Sequence, residues 1–309
     1  MAEIREKKAA SPAGSRLTGK IVRGLAGFFD VSCFEDGVLY RCRARGIFRK
    51  DSFKPLVGDE VAFVVTHEGD REGNVEEVFP RRNALVRPPV ANVDQALCLF
   101  ALKSPDLNLS LLDRFLILMG RAKIPTLLVF NKKDLGTEEE MDHLREIYRQ
   151  SGCPLFFVSI RDQDGTDALI SRMRGKTTVL AGPSGVGKSS LTNLLCPEAG
   201  MEVGEVSRKT ERGKQTTRRA ELFRLDSASF FFDTPGFSSL ILEGIQEREL
   251  GDCFPEFRPY EPSCRFQGCR HLSEPDCGVK TALSLGKIPK ARYDSYVQLL
   301  GELRDQKKW

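Results

Sequence analysis

Two hydrophobic rhythms follow one another along the chain. Over residues 18–87, short β-branched and aromatic segments at 20–22, 28–33, 38–42, 60–65 and 75–79 alternate with turn signals such as Glu35-Asp36-Gly37 and Val57-Gly58-Asp59. Five short strands in so small a span predict a closed barrel, and the OB-fold is the architecture that suits them. From Val93 the rhythm changes to apolar runs at 96–102, 126–130, 155–159 and 177–181, each followed by a helical pattern, at 111–122, 138–150, 166–173 and 188–195. Buried strands alternating with helices predict an open, mainly parallel α/β sheet over 88–243 with both faces covered. Two more strands, 220–225 and 229–232, lead into Asp233. Ligands in such sheets sit at the carboxyl ends of the strands. The remaining stretch, 244–309, ends in a helix predicted over 289–307. It has too little apolar sequence for a core of its own, so a structural metal is expected to supply what it lacks.

Composition narrows the class. The longest unbroken apolar run, 96–102, has seven residues, whereas a helical membrane span takes about 20, so no span is expected. Residues 1–17 form a polar, basic tail, predicted to be disordered, with Glu3 and Glu6 where a secretory signal would be apolar. A cytoplasmic chain is therefore expected. The net charge of +4 is too small to prove a polyanionic partner, so its distribution matters more. Basic residues outnumber acidic ones by five over 41–54, and again by five over 207–219. In the first cluster, Arg41, Arg43 and Arg45 alternate, which puts three guanidinium groups on one strand face and predicts contact with an RNA backbone. The rival reading of both clusters is a solvated surface. Nine cysteines are an odd count, and four of them crowd between Cys253 and Cys277, which reads as metal before disulfide.

Three motifs carry the chemistry. Gly182, Pro183, Ser184, Gly185, Val186, Gly187, Lys188 and Ser189, with Ser190 behind them, match the phosphate-binding pattern G-x-x-x-x-G-K-[ST] between a strand and a helix. Glycines let the backbone wrap a phosphate, and the helix start adds partial positive charge. Lys188 is expected on the β- and γ-phosphates and Ser189 on Mg²⁺. Asp233-Thr234-Pro235-Gly236, 45 residues after Lys188, supplies a carboxylate for Mg²⁺ and, at Gly236, an N–H for the γ-phosphate. Asn131-Lys132-Lys133-Asp134 ends another strand, where the Asp134 carboxylate can accept both donors of guanine's N1–H and N2–H₂ edge. Ser159 is placed to begin the loop that meets guanine O6. Alone, the tetrapeptide is equally a helix cap, but beside the other two motifs it selects GTP.

The order is unusual, because the guanine motif precedes the phosphate loop and the Asp233 motif comes last. The chain reads as a circularly permuted GTPase, a rearrangement that leaves the three-dimensional site unchanged. A basic OB-fold, a permuted GTPase and a Cys/His cluster, in that order, resemble the RsgA family of small-ribosomal-subunit-dependent GTPases. Val57-Gly58-Asp59, the run 87–94, Asn131-Lys132-Lys133-Asp134, 182–190 and 233–236 all look like that family's landmarks. The resemblance implies GTP hydrolysis stimulated by the 30S subunit, contact with its 16S rRNA, and a role in late 30S maturation. It also implies one structural zinc on Cys264, Cys269, His271 and Cys277, a set with no position left for water. Cys253 is then a spare, buried cysteine.

Hydrolysis departs from pattern. The position after Gly236, where Ras-like enzymes place a water-orienting glutamine, is Phe237. The family is similar in placing a histidine before paired switch threonines, but here Gln215 precedes Thr216 and Thr217. Gln215 is expected to position the water, and one of the two threonines to meet Mg²⁺. Two other readings stay open: an rRNA-binding assembly factor in which hydrolysis is incidental, and a GTP-dependent regulator of protein partners. Nothing points to an oligomer, so a monomer is expected.

Overall fold

The barrel closes because its first strand is long enough to serve two neighbours. β1 (Arg16–Leu25) pairs antiparallel with β4 (Glu60–His67) along its first half and with β2 (Phe28–Cys33) along its second. A register shift between Ile21 and Arg23 bends it between the two. With β3 (Leu39–Ala44) and β5 (Glu72–Val78) the order is β1-β2-β3-β5-β4, closed, and only β3 and β5 run parallel. This is the predicted OB-type barrel. Alternation along β3 buries Tyr40 and Cys42 against Val31, Phe63 and Val75 and exposes Leu39, Arg41 and Arg43. β5 starts earlier than its apolar residues suggest because Glu72 and Asn74 lie opposite Arg41 and Arg43.

The computed structural model describes residues 11–25, 27–44, 54–85, 89–197, 221–226, 228–233, 242 and 244–306. The stretch before β1 is tied down sooner than its polar composition predicts. Ser11 N donates to the Tyr40 hydroxyl at 2.7 Å, and Ser11 Oγ to Asp36 at 2.9 Å.

A short ladder of β6 (Ala84–Leu85) and β7 (Val90–Ala91) leads from the barrel into a six-stranded sheet. Its strands are β8 (Gln95–Ala101), β9 (Thr126–Asn131), β10 (Leu155–Phe157), β11 (Thr177–Ala181), β12 (Glu221–Arg224) and β13 (Phe230–Asp233), in the order β10-β9-β8-β11-β13-β12. All pairs are parallel except β12 with β13. β8, β9 and β11 are buried at every residue, which is why they read as largely apolar runs without alternation. Alternate residues of β8 face two cores. Ala96, Cys98 and Phe100 meet α1 (Leu109–Arg121) and α2 (Glu138–Tyr148). Leu97 and Leu99 meet α3 (Thr166–Met173) and α4 (Lys188–Leu195) on the other face. α1 begins before its predicted start because Asn108 caps it, accepting from Leu111 N at 3.0 Å. β10 ends at Phe157, not at 159, because Ser159 turns away to bridge Asp164.

The last segment folds as short 3₁₀ turns, then α5 (Gly278–Ser284) and α6 (Lys290–Gln306). α6 lies against α1, and Ile117 of α1 joins the core of Leu250, Phe254, Phe257 and Tyr296. Arg292 of α6 is fully enclosed, bonded to Asp113 of α1 and, through Nε at 2.5 Å, to Glu256. Burial works against its charge, but the two carboxylates outweigh that and hold it protonated. Among the described residues no helix is long and apolar enough to cross a membrane.

A candidate nucleotide site and a candidate metal centre

The phosphate loop leaves β11 through Gly182 and enters α4 through Gly187. Gly182 has φ +154° and its missing Cβ would stand 2.0 Å from Leu99 O, so no larger residue fits. Gly187 has φ +103° and presses its α-carbon toward the Asn131 amide. Ser184 and Gly185 face solvent, Val186 is buried, and Ser189 and Ser190 sit half-buried in the first turn of α4, with Pro183 half-buried before them. Lys188 folds back over the loop, its Nζ donating to Gly182 O at 2.8 Å and Pro183 O at 2.6 Å. An ammonium held on two carbonyls is placed over the loop that the motif assigns to phosphate.

Asn131, the last residue of β9, ties three loops together. Its Nδ2 donates to Val186 O at 2.8 Å, and its Oδ1 accepts from Ile160 N at 3.0 Å. Lys132 follows in the left-handed region, φ +60°, and its Nζ donates to Gly185 O at 3.0 Å and to Ser104 O. Lys133 N donates to Val158 O at 3.1 Å, and its ammonium pairs with Asp164 at 2.6 Å. Asp134, in the 3₁₀ turn Lys133–Leu135, pairs with Arg161 at 3.1 Å. Ser159 is buried, and its Oγ donates to Asp162 at 2.8 Å. Arg161 first, then Ser159, hold the Asp162 carboxyl below the usual range.

Asp233 ends β13 in register with Leu180, two residues before Gly182. The phosphate-loop strand and the Asp233 strand are therefore neighbours that end together, at the carboxyl edge where ligands of such sheets bind. Gln215, Thr216, Thr217, Gly236 and Arg45 lie outside the described residues. On the barrel, Arg41 and Arg43 each hold their guanidinium 5.0 Å from the centre of the Phe28 ring, giving one exposed face with two cations and an aromatic.

Cys264, Cys269, His271 and Cys277 bring one ligand atom each to within 4.8 Å of one another. Tetrahedral zinc, with Zn–S about 2.3 Å and Zn–N about 2.0 Å, sets S···S at about 3.8 Å and S···N at about 3.5 Å. The distances are 3.9 Å for Cys264 Sγ to Cys277 Sγ, 3.7 Å for Cys264 Sγ to His271 Nδ1, and 3.4 Å for Cys277 Sγ to His271 Nδ1. The residues fit the ion. Burial, then the neighbouring thiols, push the Cys269 thiol up to about 12, so a cation at the centre would be what ionises it. His271 Nε2 points away from the thiols toward Glu261, 3.7 Å off. Two hydroxyls fix the loop from α6: Tyr293 bonds to His271 O at 2.5 Å and Tyr296 to Arg270 O at 2.7 Å. Cys253 is half-buried, not buried as expected, because its thiol reaches Glu249 O at 3.5 Å from the edge of this core.

Motif spacing does not reveal the roles of Arg161, Tyr293, Tyr296 or Arg292. Each acts on a residue distant in sequence or presents no pattern of its own. The buried charge at Arg292 has one sequence signal, a lone arginine on an otherwise core-facing helix stripe.

The family model described as RsgA GTPase matches residues 78–243, and that described as RsgA N-terminal domain matches 18–74. A protein of Agathobacter rectalis named small ribosomal subunit biogenesis GTPase RsgA is 47% identical over 302 residues, covering 95% of this chain and 100% of that protein. The Bacillus subtilis protein of the same name is 44% identical over 296 residues, covering 94% and 98%. Among solved structures, YjeQ from Thermotoga maritima superposes with a TM-score of 0.79 at 35% identity, over 94% of this chain and 99% of that one. YloQ, described as a circularly permuted GTPase, gives 0.76 at 40% identity, over 94% and 96%.

Proposed function

The chain belongs to the RsgA GTPase family, and from that premise we propose that it hydrolyses GTP to GDP and phosphate under stimulation by the small ribosomal subunit, late in that subunit's maturation. It is a GTPase of ribosome biogenesis. One observation carries the reading at the level of this chain. Loops that are permuted in sequence, 131–134, 159–162 and 182–189, meet at one sheet edge and are joined there by the two hydrogen bonds of Asn131.

In this reading the backbone of 182–189 cradles the phosphates and Lys188 exchanges its two carbonyl partners for β- and γ-phosphate oxygens. Asp134 takes guanine's N1–H and N2–H₂ edge, and the 159–160 turn meets O6. Mg²⁺ bound with the nucleotide would be held by Ser189 and Asp233 and would neutralise charge on the phosphates. Gln215 orients the attacking water, and Thr216 or Thr217 would help hold Mg²⁺. Cys264, Cys269, His271 and Cys277 would hold one structural zinc, which would cross-link their segment, and α6 packs that segment against α1 of the GTPase domain. Arg41, Arg43 and Arg45 grip the backbone of 16S rRNA. The protein acts in the cytoplasm as a monomer.

The test is GTP turnover by purified protein alone, with isolated small subunits, and with large subunits. Stimulation of tenfold order by small subunits only is the expected result. Equal rates in all three would replace the reading with that of a binding factor. Lys188→Ala is expected to abolish turnover, and undiminished activity would remove the phosphate loop from the mechanism.

A further inference from the structure

The barrel does not merely precede the GTPase sheet; it is seated on the β12–β13 hairpin. Lys20 of β1, only 5% exposed, donates to Thr177 Oγ1 at 3.0 Å and lies over the Phe230 ring, 5.2 Å from its centre. Thr177 and Phe230 are register partners at the starts of β11 and β13, the strands that lead into Gly182 and end at Asp233 respectively. Beside this contact Val22 joins Leu222 and Phe230 in one apolar cluster, and Arg224 Nη1 donates to Gly37 O at 3.3 Å. These contacts hold the two domains together.

One contact at the opposite end of the hairpin strand is different. Arg23, just beyond the bend in β1, forms an ion pair with Glu221, the first residue of β12. Glu221 is the register partner of Asp233. The pair is exposed, 53% and 39% for the two side chains, so the domain seam does not depend on it. Its place is what distinguishes it: a barrel arginine grips the strand end lying directly against the residue assigned to Mg²⁺.

We propose that Arg23 and Glu221 are positioning residues that transmit occupancy of the barrel to the nucleotide site. A polyanion seated on the barrel's cationic face changes the pull of Arg23 on Glu221, and β12 passes that change across its ladder to Asp233. The proposal rests on the small-subunit-stimulated reading above and names how the stimulation reaches the site.

The experiment is a charge-swap cycle, with Glu221→Arg, Arg23→Glu and the double variant, each titrated with small subunits. Glu221→Arg is expected to lower the ceiling of stimulated turnover three- to fivefold, with the half-saturating subunit concentration and the unstimulated rate unchanged. The double swap should return the ceiling to within twofold of wild type, which a merely structural role would not require. A stimulated wild type with unaltered single variants, or a double variant no better than Glu221→Arg, overturns the coupling alone. A wild type that subunits do not stimulate overturns the proposed function and the coupling together.

Discussion

Asn131→Asp isolates the joint that assembles the nucleotide site. The substitution keeps the shape of the side chain and its acceptor toward Ile160 N, but replaces the donor facing Val186 O, now 2.8 Å away, with a second oxygen. Asn131 and Val186 are both buried, so the carbonyl loses its partner without gaining water. An unsatisfied buried acceptor costs about 1–3 kcal/mol. In the free variant the phosphate loop relaxes to relieve the strain, and nucleotide must then re-impose the binding shape, so the cost moves from stability to affinity. At about 1.4 kcal/mol per decade, the dissociation constant for GDP should rise between about 5-fold and about 150-fold. Equilibrium titration with a fluorescent GDP analogue measures this, with circular dichroism confirming the native fold. A folded variant that binds within twofold of wild type would mean that the loops are preorganised without Asn131.

Further outcomes follow from the same geometry. Gly182→Ala forces a Cβ to within 2.0 Å of Leu99 O at φ +154°, a strain of about 1–3 kcal/mol, and should weaken GTP binding by about tenfold; calorimetry showing unchanged affinity refutes it. Arg292→Met leaves Asp113 and Glu256 buried without their cation and should cost about 3–5 kcal/mol in urea denaturation, whereas the triple variant that also carries Asp113→Asn and Glu256→Gln should recover much of it. A loss below 1 kcal/mol in the single variant would show that water reaches the cluster. Freshly purified protein should hold about one equivalent of zinc, and its removal by chelation should expose Cys264, Cys269 and Cys277 to thiol reagents. Metal content below half an equivalent would count against the assignment.

Much of the architecture is written in local sequence. The period-2 alternation of β3 and the largely apolar, non-alternating runs of β8, β9 and β11 reveal a half-exposed barrel strand and a sheet buried on both faces. Element ends were less legible because they depend on partners elsewhere. β5 is lengthened by the residues opposite Arg41 and Arg43, and β10 is shortened by the bridge from Ser159 to Asp164. Backbone pairing across strands has no signature in the strand that receives it.

The nucleotide and metal motifs are likewise legible as residue types at fixed spacing, since phosphate wrapping demands glycines and a tetrahedral shell demands four ligands whatever surrounds them. By itself, then, the sequence determined the barrel, the permuted sheet and the motif residues proposed to meet the ligands. Tertiary structure alone decided how these parts act on one another: Asn131 joining three loops, Arg292 binding α6 to α1, and Arg23 reaching Glu221 across 198 positions of chain. Such contacts join residues far apart in sequence through single hydrogen bonds or ion pairs. No local pattern encodes a partner that only the folded chain brings near.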